Sequence, residues 1–283
     1  MGSYLRPADL RTALEALAAG VADGRPRVVV AGATDHYPAR VGRVVDEDVV
    51  DVSGIGTLAA IERDNVGWRI PAGVTWTTLA EADLPPLFDG LRAAARAVGG
   101  RQIQNRATVV GNVCNASPAA DGLPNLLALD TVVELASSRG VRRIAVNEFV
   151  TGNRKTVRAP DELVTGLFVP EPPGTARSTF LKLGSRAYLV ISIAMVAVVI
   201  VVDAGRRIVS ARVAVGACSA VAARLPALEA DLRGEFAAPS LEKVVRAAHL
   251  AGLSPIDDVR GSAAYRRQAA EVLVRRAIAE VVA

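Results

Sequence analysis

Between Pro7 and Ala19, apolar residues Leu10, Ala13, Leu14 and Leu17 fall at helical spacing on one face, with Pro7 and Asp9 suited to the first turn. Arg27–Val30 then reads as a short strand that runs into a turn at Gly32. Val44–Val52 and the following IERDNVGWRIPAGVTW predict strand, turn and strand, with Leu58–Ile61 pairing nearby. A second helical patch covers Thr78–Leu84, opened by Thr77 or Thr78 and interrupted by Pro85 and Pro86. Leu87–Val98 is a better helix of small residues, ended by Gly99 and Gly100.

Farther on, Leu126–Leu129 reads as helix, and Thr131–Ala136 and Val141–Ala145 as strands paired across an SSRG turn. Val146–Val150 is an ordered connector. A boundary lies at Val169–Ala176, where the proline-rich PEPPGTA breaks regular structure. Beyond it, Ser178–Lys182, Val196–Val202 and Ile208–Gly216 predict an antiparallel sheet. Leu225–Leu232, Leu241–Leu250 and Tyr265–Val282 predict helices. The pattern is that of an α+β protein in two regions, residues 1–172 (with subdomains of about 1–54 and 55–172) and residues 177–283.

The uncharged run Ala187–Val202 invites a membrane reading, but it is shorter than the roughly 20 residues a spanning helix needs. Val and Ile fill its second half, which favours a buried strand. The start of the chain has no long apolar segment of the signal-peptide kind, so a cytoplasmic protein without a transmembrane anchor is expected. With 51% hydrophobic and 22% charged residues, the 283-residue chain has ample material for a core. The net charge of +4 is spread among acids, and Arg92, Arg96, Arg101 and Arg106 lack interleaved aromatics. Nucleic acid is therefore not an expected partner, whereas a subunit or a cofactor phosphate is. Two cysteines (Cys114, Cys218) and two histidines (His36, His249) cannot build a four-thiolate iron–sulfur cluster or a structural zinc site.

Two glycine-bearing turns carry the chemistry. In VVVAGATD (Val28–Asp35), Gly32 admits close approach of a ligand, successive amides offer an anion concavity, and Asp35 orients the turn. In ATVVGNVCNASPAAD (Ala107–Asp121), Val109 and Val110 read as strand ending at Gly111 and Asn112. Thr108, Asn112, Asn115 and Ser117 add mixed donors and acceptors, and Asp121 is placed to accept from ribose or ribityl hydroxyls. A stable strand-ending turn, and an Asn115 that satisfies its own backbone, are the plain structural readings of the same residues. GxxxxGK[ST], GxGxxG and GxSxG are all absent, which disfavours P-loop, Rossmann and α/β-hydrolase chemistry.

AGATD at Ala31–Asp35 and TVVGNVCNASPAAD at Thr108–Asp121 resemble the AGGTD and TIGGN-C-NASPAAD motifs of FAD-binding subunits in the xanthine dehydrogenase family of molybdenum hydroxylases. RQIQNRA, DELVTGLFVP (Asp161–Pro170), FLKLGSRA (Phe180–Ala187) and SAAYRR (Ser262–Arg267) extend the resemblance over nearly the whole chain. It implies a two-part FAD-binding region and a smaller α+β domain. Val29, Val30, Ala31, Gly32, Ala33, Thr34, Asp35 and His36 would wrap the FAD pyrophosphate, and Thr108, Val109, Val110, Gly111 and Asn112 would face them. Ser117 and Asp121 would meet nucleotide or ribityl hydroxyls, Leu163 would lie near the flavin, and Lys182 would address its polar end.

The resemblance further implies an iron–sulfur small subunit carrying 2Fe-2S clusters and a molybdopterin large subunit, assembled as a dimer of heterotrimers. Electrons would pass from the clusters through FAD to NAD or another acceptor, while the substrate, such as an N-heterocycle, an aldehyde or carbon monoxide, belongs to the large subunit. Ala33 and Val110 each stand where the family has glycine, and His36 stands where it has an apolar residue. Ala33 is tolerable there at negative φ. The alternatives are a flavin-free assembly scaffold and a free-standing FAD oxidoreductase.

Overall fold

The computed structural model describes residues 2–44 and 46–283; Val45, within the strand expected at Val44–Val52, lies outside them. Tyr4–Leu5, Val49–Asp51 and Val28–Val30 form a small parallel sheet with Val49–Asp51 in the middle. Helix Leu10–Ala22 covers it, burying Ala13, Ala16 and Leu17. Asp9 caps that helix by accepting from the Thr12 amide at 2.9 Å, so it lies just before the first turn.

A five-stranded antiparallel sheet follows in the order Glu62–Arg63, Gly67–Pro71, Leu163–Pro170, Val132–Ser137 and Gly140–Ala145. The expected pairing across SSRG is present, with Ser137 opposite Gly140. On it the buried Glu134 takes Arg69 at 2.6 Å and the exposed Arg143 of the edge strand at 2.7 Å.

Four local expectations are corrected. Leu58 sits in a 3-10 turn (Gly56–Leu58) rather than a strand. The second helix is Trp76–Glu81, capped by Thr75, because Thr75 Oγ1 reaches the Thr78 amide at 3.1 Å. Leu241–Leu250 is two 3-10 turns, Pro239–Val244 and Ala247–Leu250, since the extended backbone at Val245 and Arg246 interrupts any continuous helix. Val109–Asn115 is helix, not strand.

The second antiparallel sheet runs Thr175–Leu183, Ala194–Val202, Ile208–Gly216 and Ala223–Arg224. Its inner strand Ala194–Val202 accounts for the second half of the uncharged run. Met195, Ala197, Val199 and Val201 face the core shared with the N-terminal two-thirds of the chain. Ala194, Val196, Val198 and Ile200 face a second core closed by Pro226–Leu232 and the C-terminal helix Ala263–Val282. A strand buried on both faces has no polar alternation to display. Among the described residues no helix is long and apolar enough to cross a membrane.

The SAAYRR segment opens the C-terminal helix. Ser262 caps it through the Tyr265 amide at 3.2 Å. Arg266, 2% exposed, donates to the carbonyls of Ile193 (2.6 Å) and Ala217 (3.3 Å) and pairs with Asp258 at 2.6 Å. One guanidinium thus fixes the helix to the ends of two strands. Arg266→Met takes the guanidinium from those two carbonyls and leaves Asp258 with Arg260 alone, and is expected to lower the unfolding free energy by about 3 kcal/mol, read from the urea midpoint.

Candidate cofactor site

The two turns are joined at their bases by backbone contact. A Cβ on Gly32 would lie 1.8 Å from the Arg106 carbonyl oxygen and 2.9 Å from the Ala107 Cα. Gly32 therefore admits another segment of the chain, the one that leads into Thr108, rather than leaving free space. This is why glycine is needed there.

Past Gly32 the chain enters the left-handed region at Ala33, with φ +54°, so the negative φ on which an easily tolerated alanine depended is not met. The amides of Ala33, Thr34, Asp35 and His36 donate to no protein group among the described residues. Such a run of free N–H groups beside a left-handed residue forms an anion nest. His36 adds a polar atom without a hydrogen bond, the buried Nε2, which lies 3.6 Å from Glu47. Burial, aided by the Arg40 guanidinium, holds the imidazole below its ordinary range and favours its neutral form.

The second motif starts with Thr108, whose side chain accepts from the Gly111 amide at 2.9 Å and caps the helix Val109–Asn115. Val109 and Val110 (0% and 4% exposed) point into the core, so the bulk at the family's first paired glycine packs inward. Gly111 is exposed, and its added Cβ would meet only Thr108 Oγ1 at 2.8 Å. Asn112 Oδ1 receives the Gly122 amide at 3.3 Å, opening helix Gly122–Ala128. Ala116, at φ +48°, ends the motif helix, and Ser117 organises the next turn by accepting from Ala119 at 3.3 Å. Cys114 is half-buried and Cys218 buried; burial pushes both thiols up to about 11.

Asp121 closes the motif at 5% exposure. Its two oxygens take Lys182 Nζ at 2.6 Å and Ser192 Oγ at 2.7 Å. Lys182 also approaches the Ala97 carbonyl at 3.4 Å, leaving one ammonium proton of three uncommitted. Burial raises the Asp121 carboxyl above its ordinary range, against the pull of Lys182 and Ser192. Ser192 gave no signal in sequence because it is one hydroxyl in an apolar run.

Of the other expected residues, Val30 (5%) and Leu163 (2%) are buried, while Val29, Ala31 and Thr34 are partly exposed beside the turn. Asp35 is exposed and receives Arg154 Nη1 at 2.7 Å. Arg154 was not among the expected residues; its only sequence signal is the NRK turn between two short strands.

Comparison with known proteins now decides the family. The model of the FAD-binding domain in molybdopterin dehydrogenase matches residues 1–172, and that of the CO dehydrogenase flavoprotein C-terminal domain matches residues 179–281. The chain belongs to the molybdenum hydroxylase family as an FAD-binding medium subunit.

This medium subunit is 30% identical over 280 residues to the nicotine 6-hydroxylase medium subunit of Paenarthrobacter nicotinovorans, covering 98% of this chain and 96% of that one. It is 34% identical over 199 residues to the xanthine dehydrogenase FAD-binding subunit of Escherichia coli O157:H7, covering 67% and 65%. Reconstituted CO dehydrogenase from Oligotropha carboxidovorans matches with a TM-score of 0.88 at 25% identity, covering 100% of this chain and 98% of that one. Membership makes the chain a component of an oxidoreductase and implies FAD here, with molybdenum and iron–sulfur groups in partner chains. Among the described residues, no group of three or more His, Cys, Asp or Glu side chains could hold a metal ion.

The residues present fit a dinucleotide: free amides for its anionic centre, an unpartnered imidazole nitrogen beside them, and a lysine proton to spare. Two substitutions separate backbone fit from bulk. Gly32→Ala forces a Cβ into Arg106 and should cost about 3 kcal/mol or more, whereas Ala33→Gly relieves a left-handed alanine and should gain about 0.5–1 kcal/mol, both measured by thermal melting. Lys182→Met strands the Asp121 carboxylate and is expected to cost about 3 kcal/mol. In that variant the raised Asp121 pKa rises further, so its folded form binds a proton more readily than its unfolded form. Stability then falls as pH climbs from the ordinary carboxylate range to the folded value, and the variant's deficit in urea unfolding should be larger at about pH 8 than at about pH 5.

Proposed function

We propose that this subunit relays electrons from an iron–sulfur partner through FAD to NAD or another acceptor, while a molybdopterin partner oxidises the substrate. The observation that carries this reading is the apposition of the two turns at Gly32, with the run of free amides at Ala33–His36 beside them. These amides would receive the pyrophosphate, and the exposed Gly111 and half-buried Asn112 would face it across the gap. Ser117 and the Asp121 end of the motif would lie toward the nucleotide or ribityl hydroxyls. Leu163 would bound the flavin, and the uncommitted Lys182 proton would serve its polar end.

When bound, FAD accepts electrons one at a time and releases them as a pair, which a nicotinamide acceptor requires. The chain's own residues bind and orient. The buried Lys182–Asp121 pair keeps a cation at a set place at little net charge, and the neutral His36 adds a hydrogen-bonding atom without charge beside an anion.

The test is a titration of the purified chain with FAD, alone and with both partner subunits, followed by bound-flavin absorbance and quenching of Trp76, which packs against Gly122. Stoichiometric flavin and its reduction by the reduced iron–sulfur partner are expected. Absence of flavin with both partners present sinks the reading in favour of a scaffold. Flavin turnover without partners favours a free-standing oxidoreductase.

A further inference from the structure

The hairpin Val150–Gly152 and Lys155–Thr156 belongs to neither turn, yet its tip residue Arg154 bonds to both. Arg154, at φ +55°, donates its amide to the Ala116 carbonyl at 2.8 Å. A single guanidinium nitrogen, Nη1, then donates to Asp35 Oδ2 at 2.7 Å and Asn115 Oδ1 at 2.5 Å. Asp35 belongs to the first turn and Asn115 to the second. Neither side chain has another hydrogen-bond partner among the described residues, so Arg154 alone joins these outer ends.

The charge arrangement gives this contact a purpose. Asp35 sits inside the run of free amides at Ala33–His36, and its side chain is 52% exposed. An unpaired carboxylate at that place repels any phosphate entering the nest. We propose that Arg154 is a positioning residue that neutralises Asp35 and holds it against Asn115, making the nest competent for the negatively charged pyrophosphate of a dinucleotide. The proposal rests on the FAD reading above for the identity of the ligand. Its electrostatic content applies to pyrophosphate alone.

The test uses the full chain with its partner subunits for FAD, and the chain alone with inorganic pyrophosphate. Arg154→Gly removes the side chain at a φ that glycine adopts freely, so the hairpin tip is preserved. FAD and pyrophosphate dissociation constants should both rise about fivefold to tenfold, with the deficit shrinking as salt screens Asp35. Asp35→Asn in the Arg154→Gly background should bring both within about twofold of the parent, because the repulsion has gone. Arg154→Lys should retain most of the affinity, since one nitrogen makes both bonds and an ammonium offers three donors from one nitrogen. A merely structural role would lower the melting temperature without this rescue.

Unchanged affinities in Arg154→Gly, or no recovery with Asp35→Asn, overturn the proposal while leaving FAD binding by the parent intact. Pyrophosphate binding with the predicted pattern but no FAD binding upholds the proposal and sinks the functional reading. A parent that binds neither overturns both.

Discussion

A buried carboxylate ties the site to the rest of the molecule. Asp121 ends the long motif, Lys182 comes from one strand of the second sheet, and Ser192 precedes the next strand. Burying such a charge is costly unless every lone pair and proton has a partner, and here the ammonium and the hydroxyl divide the two oxygens between them. Ile193, the neighbour of Ser192, is held by Arg266 of the C-terminal helix. Ala217, the other carbonyl that Arg266 holds, donates its amide to Pro118 within the motif at 3.0 Å. The motif is therefore braced by three strands of the second antiparallel sheet and by the last helix, although these lie far apart in sequence.

Much of this was legible in the residues. The alternation-free run ending at Val202 is a central strand with two buried faces, and Ile208–Gly216 occupies the residues expected of it. TVVGN misled because β-branched residues suit a strand and a buried helix turn alike; the cap from Thr108 to the Gly111 amide decided for helix. The cap of the second helix was displaced for a similar reason, because three threonine hydroxyls lie within four residues and only Thr75 has the extended backbone a cap requires.

Within the site, the motif residues were readable one by one, but their partners were not. Gly32 was expected to make room for a ligand, and it makes room for Arg106. Ser192 and Arg154 meet their acceptors across 71 and 119 residues of chain, distances over which local pattern carries no information. The departures at Ala33 and Val110 likewise separate only in three dimensions. One is a backbone matter at positive φ, the other a side chain absorbed by the core.

The burial of Cys114 and Cys218 has a chemical consequence of its own. Oxidation of a cysteine begins with its thiolate, and with both thiols pushed up to about 11 that form is scarce at neutral pH. A component of an oxidoreductase thus keeps both of its thiols in their unreactive form. Peroxide reaching either cysteine would find no activated thiol to convert to a sulfenic acid, so the chain's sulfur is chemically quiet.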